Sequence, residues 1–204
     1  MPTTDLSVLL LNTTLKPTPE ASSCQLMAEQ LLGGFAGHGL EGDIVRVVDL
    51  EIAPGVDADM GDGDEWPGLR ERILTSDILV ICTPTWLGHM SSVAQRVLER
   101  LDAELSHTDD EGRPILFGKV AVTAVLGNED GAHKITADLY QALNDVGFSI
   151  PSQGGTYWNG EAMHTIDYKD LEETPEEVAS ATATLARNAV HLATLLKANP
   201  YPSE

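Results

Sequence analysis

A buried strand and an unusual loop are predicted from the residues Asp77-Ile-Leu-Val-Ile-Cys-Thr-Pro-Thr-Trp-Leu-Gly88. The first six of these residues form a nearly continuous apolar run, which is typical of a strand buried on both faces of a parallel sheet. The run ends in an apolar loop, residues 83–92, and Trp86 in this loop looks exposed, which is unusual directly after a buried strand. This pattern indicates an α/β sheet with a ligand site where the strand ends.

Further apolar runs alternate with amphipathic segments along the rest of the chain. They predict strands at residues 6–11, 43–48 and 119–126, with a fifth strand region beginning at Phe148-Ser-Ile-Pro151. The amphipathic segments predict helices over residues 22–35, 67–75, 91–105, 132–146 and 175–197. Alternating strands and helices imply right-handed crossovers and a parallel sheet. We therefore predict an α/β, flavodoxin-like three-layer sandwich with a five-stranded parallel sheet in the order 2-1-3-4-5.

The length of 204 residues fits a single domain over residues 1–204, with long loops at about 51–66 and 154–174. The first of these loops is acidic and rich in Gly, and the sequence leaves open a lid, a dimer contact or a simple surface loop. The two cysteines, Cys24 and Cys82, are too few for a disulfide scaffold or a metal cluster. We expect reduced thiols, with a chance disulfide or a redox role for Cys24 as the alternatives, and no metal site.

The chain has a net charge of −20, from 32 acidic and 12 basic residues. This balance argues against binding to nucleic acid or to an anionic membrane surface. The acidity either serves solubility in a salty or acid-rich cytoplasm or forms a face that docks a basic redox partner. Residues 1–5 lack the basic region of a signal peptide, and the apolar run Val8–Leu11 is too short to span a membrane. We expect a cytoplasmic protein.

The loop after the first strand, Asn12 to Cys24, is suited to a phosphate group. It offers the hydroxyls of Thr14, Ser22 and Ser23, the cation of Lys16, and the amino-terminal end of a helix. In the alternative interpretation, Ser22 only caps the helix and Lys16 is an ordinary surface lysine. The loop lacks the glycine pattern of a P-loop or of a dinucleotide site.

The loop after the third strand is suited to a flat ring such as an isoalloxazine. Pro84, Trp86 and Leu87 would pack on the ring, backbone amides from Thr85 onwards would bind its polar edge, and Gly88 would allow close approach. Alternatively, Trp86 belongs to the core or to a dimer interface.

The loop after the fourth strand, residues 127–133, would bind the other edge of the same ring. Gly127, Asn128, Gly131 and His133 are its candidate residues, and the alternative is a polar loop that caps the following helix. Trp158 follows the fifth strand region. We expect it either to cover such a ring in its own or a neighbouring subunit, or to close the core.

On these loops the chain resembles the NAD(P)H-dependent FMN reductase and flavodoxin-like oxidoreductase superfamily, from about Leu6 to Val146. The segment Pro84-Thr-Trp-Leu-Gly88 is similar to the family's Pro-Thr/Glu-Tyr/Trp-x-Gly motif. In the phosphate loop, Lys16 stands where Arg is usual, and the loop is longer and contains Pro17 and Pro19. The third loop matches by position and by its Gly127-Asn128 start.

The resemblance implies an FMN-dependent oxidoreductase that takes hydride from NADPH or NADH and reduces a quinone or another small electron acceptor. Hydride transfer needs no dedicated acid or base, so no catalytic side chain is predicted, and His89 is the best candidate for a polar contact near the flavin. The segment Ser91–Asp102 is similar to a helix that packs in family dimers, so a homodimer or homotetramer is expected. The alternatives are a flavodoxin-type electron carrier and a flavodoxin-fold binding protein without activity.

Overall fold

The computed structural model describes residues 5–161 and 164–203 and is built around one twisted sheet. Five strands are parallel and lie in the order β2-β1-β3-β5-β6, while a short strand, β4, pairs antiparallel with the end of β3. The strands are β1 Ser7–Asn12, β2 Glu41–Arg46, β3 Ile78–Trp86, β4 His89–Met90, β5 Val120–Gly127 and β6 Gly155–Asn159. The predicted doubly wound, flavodoxin-like fold is confirmed, and its strand count is corrected from five to six by the two-residue β4.

Helices cover both faces of the sheet. They are α1 Ser23–Ala36, α2 Trp66–Thr75, α3 Ser92–Leu101, α4 Ala132–Asp145 and α5 Glu176–Ala198. Helix α3 is shorter than predicted, because the chain tightens into a 3₁₀ turn over residues 102–106.

The three layers follow from the alternation of side chains along the strands. In β3, Val80 and Cys82 enter the core beneath α1 and α5, whereas Leu79 and Ile81 enter the core beneath α2, α3 and α4. Successive strand residues point to opposite faces, so a strand covered on both sides must be apolar throughout. This accounts for the continuous apolar run that begins at residue 78.

The predicted fifth strand at Phe148–Pro151 is wrong. Ser149 makes only an isolated bridge to Val120, and the chain then turns, with Gly154 N donating to the carbonyl of Pro151 at 3.1 Å. Proline has no N–H for a ladder, so pairing stops there. The edge strand is β6, which pairs with residues 123–127 of β5 and so occupies part of the predicted 154–174 loop.

The acidic 51–66 segment is folded around a buried ion pair. Arg100 of α3 is fully buried, and its Nη2 lies 2.8 Å from the Asp64 carboxylate. The guanidinium also donates to the carbonyls of Ala53 and Asp57, and it lies 5.3 Å from the ring centroid of Trp66. The segment is therefore a fixed part of the α2–α3 layer.

Within residues 5–161 and 164–203, no helix combines the length and apolar character needed to cross a bilayer. Residues 1–4, on which the expected absence of a signal peptide partly rests, lie outside the described residues, as do residues 162–163 of the predicted 154–174 loop and residue 204.

Candidate functional site

A cleft opens at the carboxyl edge of the sheet, where β1, β3, β5 and β6 end. It holds about 640 Å³ of empty space including its open mouth, within the usual range of small-molecule sites. Its described lining residues are Thr14, Leu15, Lys16, Ser22, Ser23, Cys24, Pro84, Thr85, Trp86, Leu126, Gly127, Asn128, Trp158, Asp167 and Tyr168. The loops after β1, β3 and β5 thus meet at one cavity, as the strand order requires.

One end of the cavity is formed by the phosphate loop, residues 13–22, and the first turn of α1. Ser22 has the extended backbone of an N-cap residue, but its side chain makes no capping hydrogen bond with any described residue. The first turn contains no acidic residue, and the amides of Ser23 and Cys24 have no intrahelical acceptor by position. This end therefore presents free N–H donors, partial positive charge and the lysine at position 16.

The other end is formed by a hairpin that extends β3 beyond the sheet. Thr85 pairs with Met90, and Trp86 pairs with His89. Leu87 and Gly88 form the turn with φ values of 51° and 72°, the positive values that a tight two-residue hairpin requires. Trp86 is 53% exposed at the cavity, which is a large apolar surface to leave in water.

The 127–131 loop holds this hairpin in place. A Cβ at Gly127 would lie 2.7 Å from the Cβ of Thr85, and one at Gly131 would lie 2.8 Å from the Cα of Gly88. The carboxylate of Glu129 accepts a hydrogen bond from Leu87 N at 2.7 Å. Glycine is needed at position 131 because its backbone approaches that of Gly88, and at position 127 because the Thr85 side chain lies against it.

The structure brings most predicted site residues to the cavity. Those that line it are Thr14, Lys16, Ser22, Ser23, Pro84, Thr85, Trp86, Gly127 and Asn128. Four others lie outside its described lining: Leu87 and Gly88 form the hairpin tip, Gly131 supports that tip, and His133 meets Tyr157 edge to face, with ring centroids 5.0 Å apart. His89 lies beside the tip, with Nδ1 2.8 Å from the carbonyl of Leu87.

The cavity also contains residues that sequence reasoning missed or left open. Trp158 of β6 lines it, with its ring centroid 5.7 Å from that of Tyr168. Tyr168 and Asp167 come from a 3₁₀ turn, residues 168–170, and its N-cap. Asn128 Nδ2 donates to Asp167 at 3.4 Å and so joins this turn to the end of β5. The sequence pointed to Trp158 because an aromatic residue there follows a predicted strand region. No sequence feature pointed to Asp167 as a cavity residue.

The polar groups at the cavity are only partly satisfied by the protein. Thr85 Oγ1 is buried and has no hydrogen-bond partner within the described part of the chain. Below the phosphate loop, contact with Cys24 and complete burial raise the pKa of the Cys82 thiol, so this thiol stays protonated. The cavity can hold an anion at the α1 end, and Trp86 and Trp158 offer apolar surface to a flat ring.

A flavodoxin-like sheet with its cavity at the strand-order reversal defines the class of this protein. The family model described as NADPH-dependent FMN reductase matches residues 6–163, and the chain belongs to this family.

Two curated relatives extend the comparison. The chain is 36% identical over 200 residues to the divalent metal cation transporter MntH of Mycobacterium bovis (strain ATCC BAA-935 / AF2122/97), a match that covers 95% of this chain but only 29% of that protein. It is 32% identical over 209 residues to 8-demethyl-8-aminoriboflavin-5'-phosphate synthase of Streptomyces davaonensis (strain DSM 101723 / JCM 4913 / KCC S-0913 / 768), covering 98% of this chain and 81% of the relative.

A solved structure resembles nearly the whole chain. RosB, with its bound intermediate 8-demethyl-8-formylriboflavin-5'-phosphate, aligns with a TM-score of 0.87 and 32% identity. The alignment covers 96% of this chain and 82% of that one.

Proposed function

We propose that this chain is an FMN-dependent oxidoreductase that is reduced by NADPH or NADH and passes electrons to a quinone or another small acceptor. The observation that carries the proposal is a single cavity that combines free helix N–H groups and Lys16 with the aromatic side chains of Trp86 and Trp158. Flavin mononucleotide contains the two groups that such a cavity suits, a phosphate and a flat aromatic ring. Membership of the FMN reductase family supports the same assignment.

The chain's own residues would bind and orient the cofactor. Ser22, Ser23 and Lys16 would hold the phosphate, and the unpartnered hydroxyl of Thr85 would be available to a polar atom of the ring. Trp86 and Trp158 would exclude water from the ring faces. The bound flavin supplies the redox chemistry, and the protein supplies orientation and environment.

Flavin titration followed by anaerobic reduction tests this proposal. We expect apoprotein to quench FMN fluorescence with a dissociation constant of about 1 μM or lower, and the bound flavin to bleach when NADPH or NADH is added. Protein that binds no FMN would overturn the proposal. Protein that binds FMN but needs a separate reductase would instead be a flavodoxin-type electron carrier.

A second candidate function treats the flavin as the substrate. It is favoured by the likeness over nearly the whole chain to RosB, which holds a modified riboflavin phosphate, and to a synthase of such a compound. Mass spectrometry of the flavin after turnover separates the two candidates. A flavin of unchanged mass indicates a cofactor, whereas a flavin with an altered ring indicates a substrate.

We also propose a homodimer or homotetramer in the cytoplasm. The hairpin tip supports the assembly, because Leu87 is 88% exposed next to the half-exposed Trp86. Size-exclusion chromatography with light scattering tests it, and a monomer at micromolar concentration would contradict it.

A further inference from the structure

Arg46, the last residue of β2, lies beside the phosphate loop. It is in register with Asn12, the last residue of β1. Two residues earlier, Ile44 and Leu10 pack in the core beneath α1. Because side chains alternate along a strand, Arg46 and Asn12 therefore point to the same layer, towards the first turn of α1.

The guanidinium of Arg46 joins three points around the phosphate loop. Nη1 donates to the carbonyl of Glu20 at 2.8 Å and to that of Lys16 at 3.4 Å. Nη2 donates to Gln25 Oε1 at 3.3 Å, and this oxygen also accepts from Asn12 Nδ2 at 2.9 Å. One planar side chain thus links both ends of the 16–20 segment to the first turn of α1.

External contacts supplement the internal hydrogen bonding of the 16–20 segment. Pro17 and Pro19 have no N–H groups, and the internal backbone hydrogen bond of this part of the loop runs from Glu20 N to the carbonyl of Pro17 at 2.9 Å. Asp49, just after β2, makes a further tie by accepting from the amide and hydroxyl of Thr18, at 2.9 Å and 2.5 Å. The end of β2 therefore holds the loop at two points, Thr18 and the 16–20 carbonyls.

We propose that Arg46 is a positioning residue for the phosphate group, an inference that rests on the proposed function. It holds Lys16 at a fixed separation from the amides of Ser23 and Cys24, so that the lysine and the helix end converge on one anion. The long, proline-containing loop is thereby tied to an arginine of the neighbouring strand.

Comparing FMN with riboflavin isolates this effect, because the two ligands share the ring and differ by the phosphate. In Arg46→Met, we expect FMN affinity to fall about tenfold or more, since contacts to a charged donor are lost. Riboflavin affinity should change by less than about twofold, within the scatter of a surface substitution. Both are measured by fluorescence quenching on apoprotein.

Two further variants separate positioning from charge and from general damage. Arg46→Lys keeps the charge but has no planar fork, so we expect it to bind FMN closer to Arg46→Met than to wild type. Arg72→Met is the matched control: its guanidinium pairs with the largely exposed Asp43 at 3.2 Å, and flavin binding should be unchanged. Circular dichroism of each apoprotein verifies folding.

The outcomes are distinct. Full FMN binding by Arg46→Lys would show that the charge alone matters and would overturn the inference. Equal losses for FMN and riboflavin would show that Arg46 supports the whole cavity and not the phosphate end, which also overturns it. If wild-type protein binds FMN while Arg46→Met binds it equally well, only this inference fails; if wild type binds no flavin, the proposed function fails first.

Discussion

The 51–66 segment and the cavity edge are both irregular and polar, but their principal polar groups are satisfied differently. Trp66 Nε1 of the 51–66 segment is buried without a hydrogen-bond partner among the described residues, but it packs beneath the Arg100 guanidinium and not at the cavity. In the 51–66 segment, the Asp64 carboxylate accepts from the amides of Ala53, Met60 and Trp66 and from Arg100. At the cavity edge, the amides at the start of α1 and the Thr85 hydroxyl have no such internal partner within the described residues.

A structural loop and a ligand loop differ in where their buried polar groups find partners. Buried polar groups in folded proteins are nearly always paired, so a group left unpaired at a cavity is a place for something the chain does not supply. Composition alone is misleading, because the 51–66 segment is more acidic than the cavity edge and looks more like a docking face for a basic partner. Its central carboxylate and guanidinium are both almost fully buried and fully used.

Arg100→Met should cause the largest loss of stability. Removing one partner of a buried ion pair leaves the other charge uncompensated, at a cost of about 3–5 kcal/mol. Urea denaturation of the apoprotein measures the free energy of unfolding. Arg72→Met is the control, because its ion pair is largely exposed and should contribute below about 1 kcal/mol. Equal losses in the two variants would contradict the role given to the buried pair.

Low pH should weaken the same ion pair, and the resulting loss of stability should be somewhat smaller than in Arg100→Met. The hydrogen bond from Arg100, together with backbone amides, holds the pKa of Asp64 well below its usual range despite the opposing effect of burial. A depressed folded-state pKa stabilises the protein above the unfolded value of about 3.9, and this stabilisation is lost as the pH falls further.

We therefore expect stability that changes little from neutral pH down to about 5 and then declines, with Asp64 contributing about 2–3 kcal/mol of that decline. Asp64→Asn should have a shallower acid decline than wild type when unfolding is measured at several pH values. Asp43→Asn, at a largely exposed carboxylate, should follow the wild-type curve. An unchanged slope in Asp64→Asn would show that other carboxylates govern the acid response.

The sequence predicted the layers of the fold because they follow from local patterns. The apolar run at 77–82 and the helical spacing of its neighbours are visible without tertiary contacts. The fifth strand was misplaced because Phe148 and Ile150 look like strand residues, although they pack on the α2–α4 side just before a turn. Only the pairing of residues 155–159 with β5 shows which segment completes the sheet.

The site residues that follow the ends of strands could be predicted from the sequence. Those on segments that reach the cavity from a distant part of the chain could not. The loops after β1, β3 and β5 meet by topology, so Lys16, Trp86 and Asn128 could be placed at one edge. Asp167 reaches the cavity only because its turn packs against α1, where Tyr168 Oη donates to Gln30 at 2.7 Å. The glycines at 127 and 131 were visible, but their contact with the hairpin was not.

Trp86→Ala should weaken flavin binding and leave stability nearly unchanged, whereas the main effect of Arg100→Met should be a loss of stability. The side chain is 53% exposed, so we expect the free energy of unfolding to change by less than about 0.5 kcal/mol. Loss of an aromatic contact with a flavin ring should weaken binding by about 1–1.5 kcal/mol, or roughly tenfold in the dissociation constant. FMN quenching measures this, and Leu105→Ala, at an apolar residue that is 60% exposed outside the cavity lining, is the control.

Leu87→Asn should have the smallest effect and the opposite sign. Leucine at φ 51° is strained, whereas asparagine adopts this conformation readily and is common in tight hairpin turns. We expect a gain of about 0.5–1 kcal/mol in the free energy of unfolding, because little burial is lost at a side chain that is 88% exposed. Because Leu87 lies outside the described lining of the cavity, FMN affinity of the monomer should be unchanged.

A loss of FMN affinity in Leu87→Asn would show that the turn contacts the ligand directly or through a second copy of the chain. In that case a strained, exposed leucine would belong with Trp86 among the apolar groups that the chain leaves for a partner.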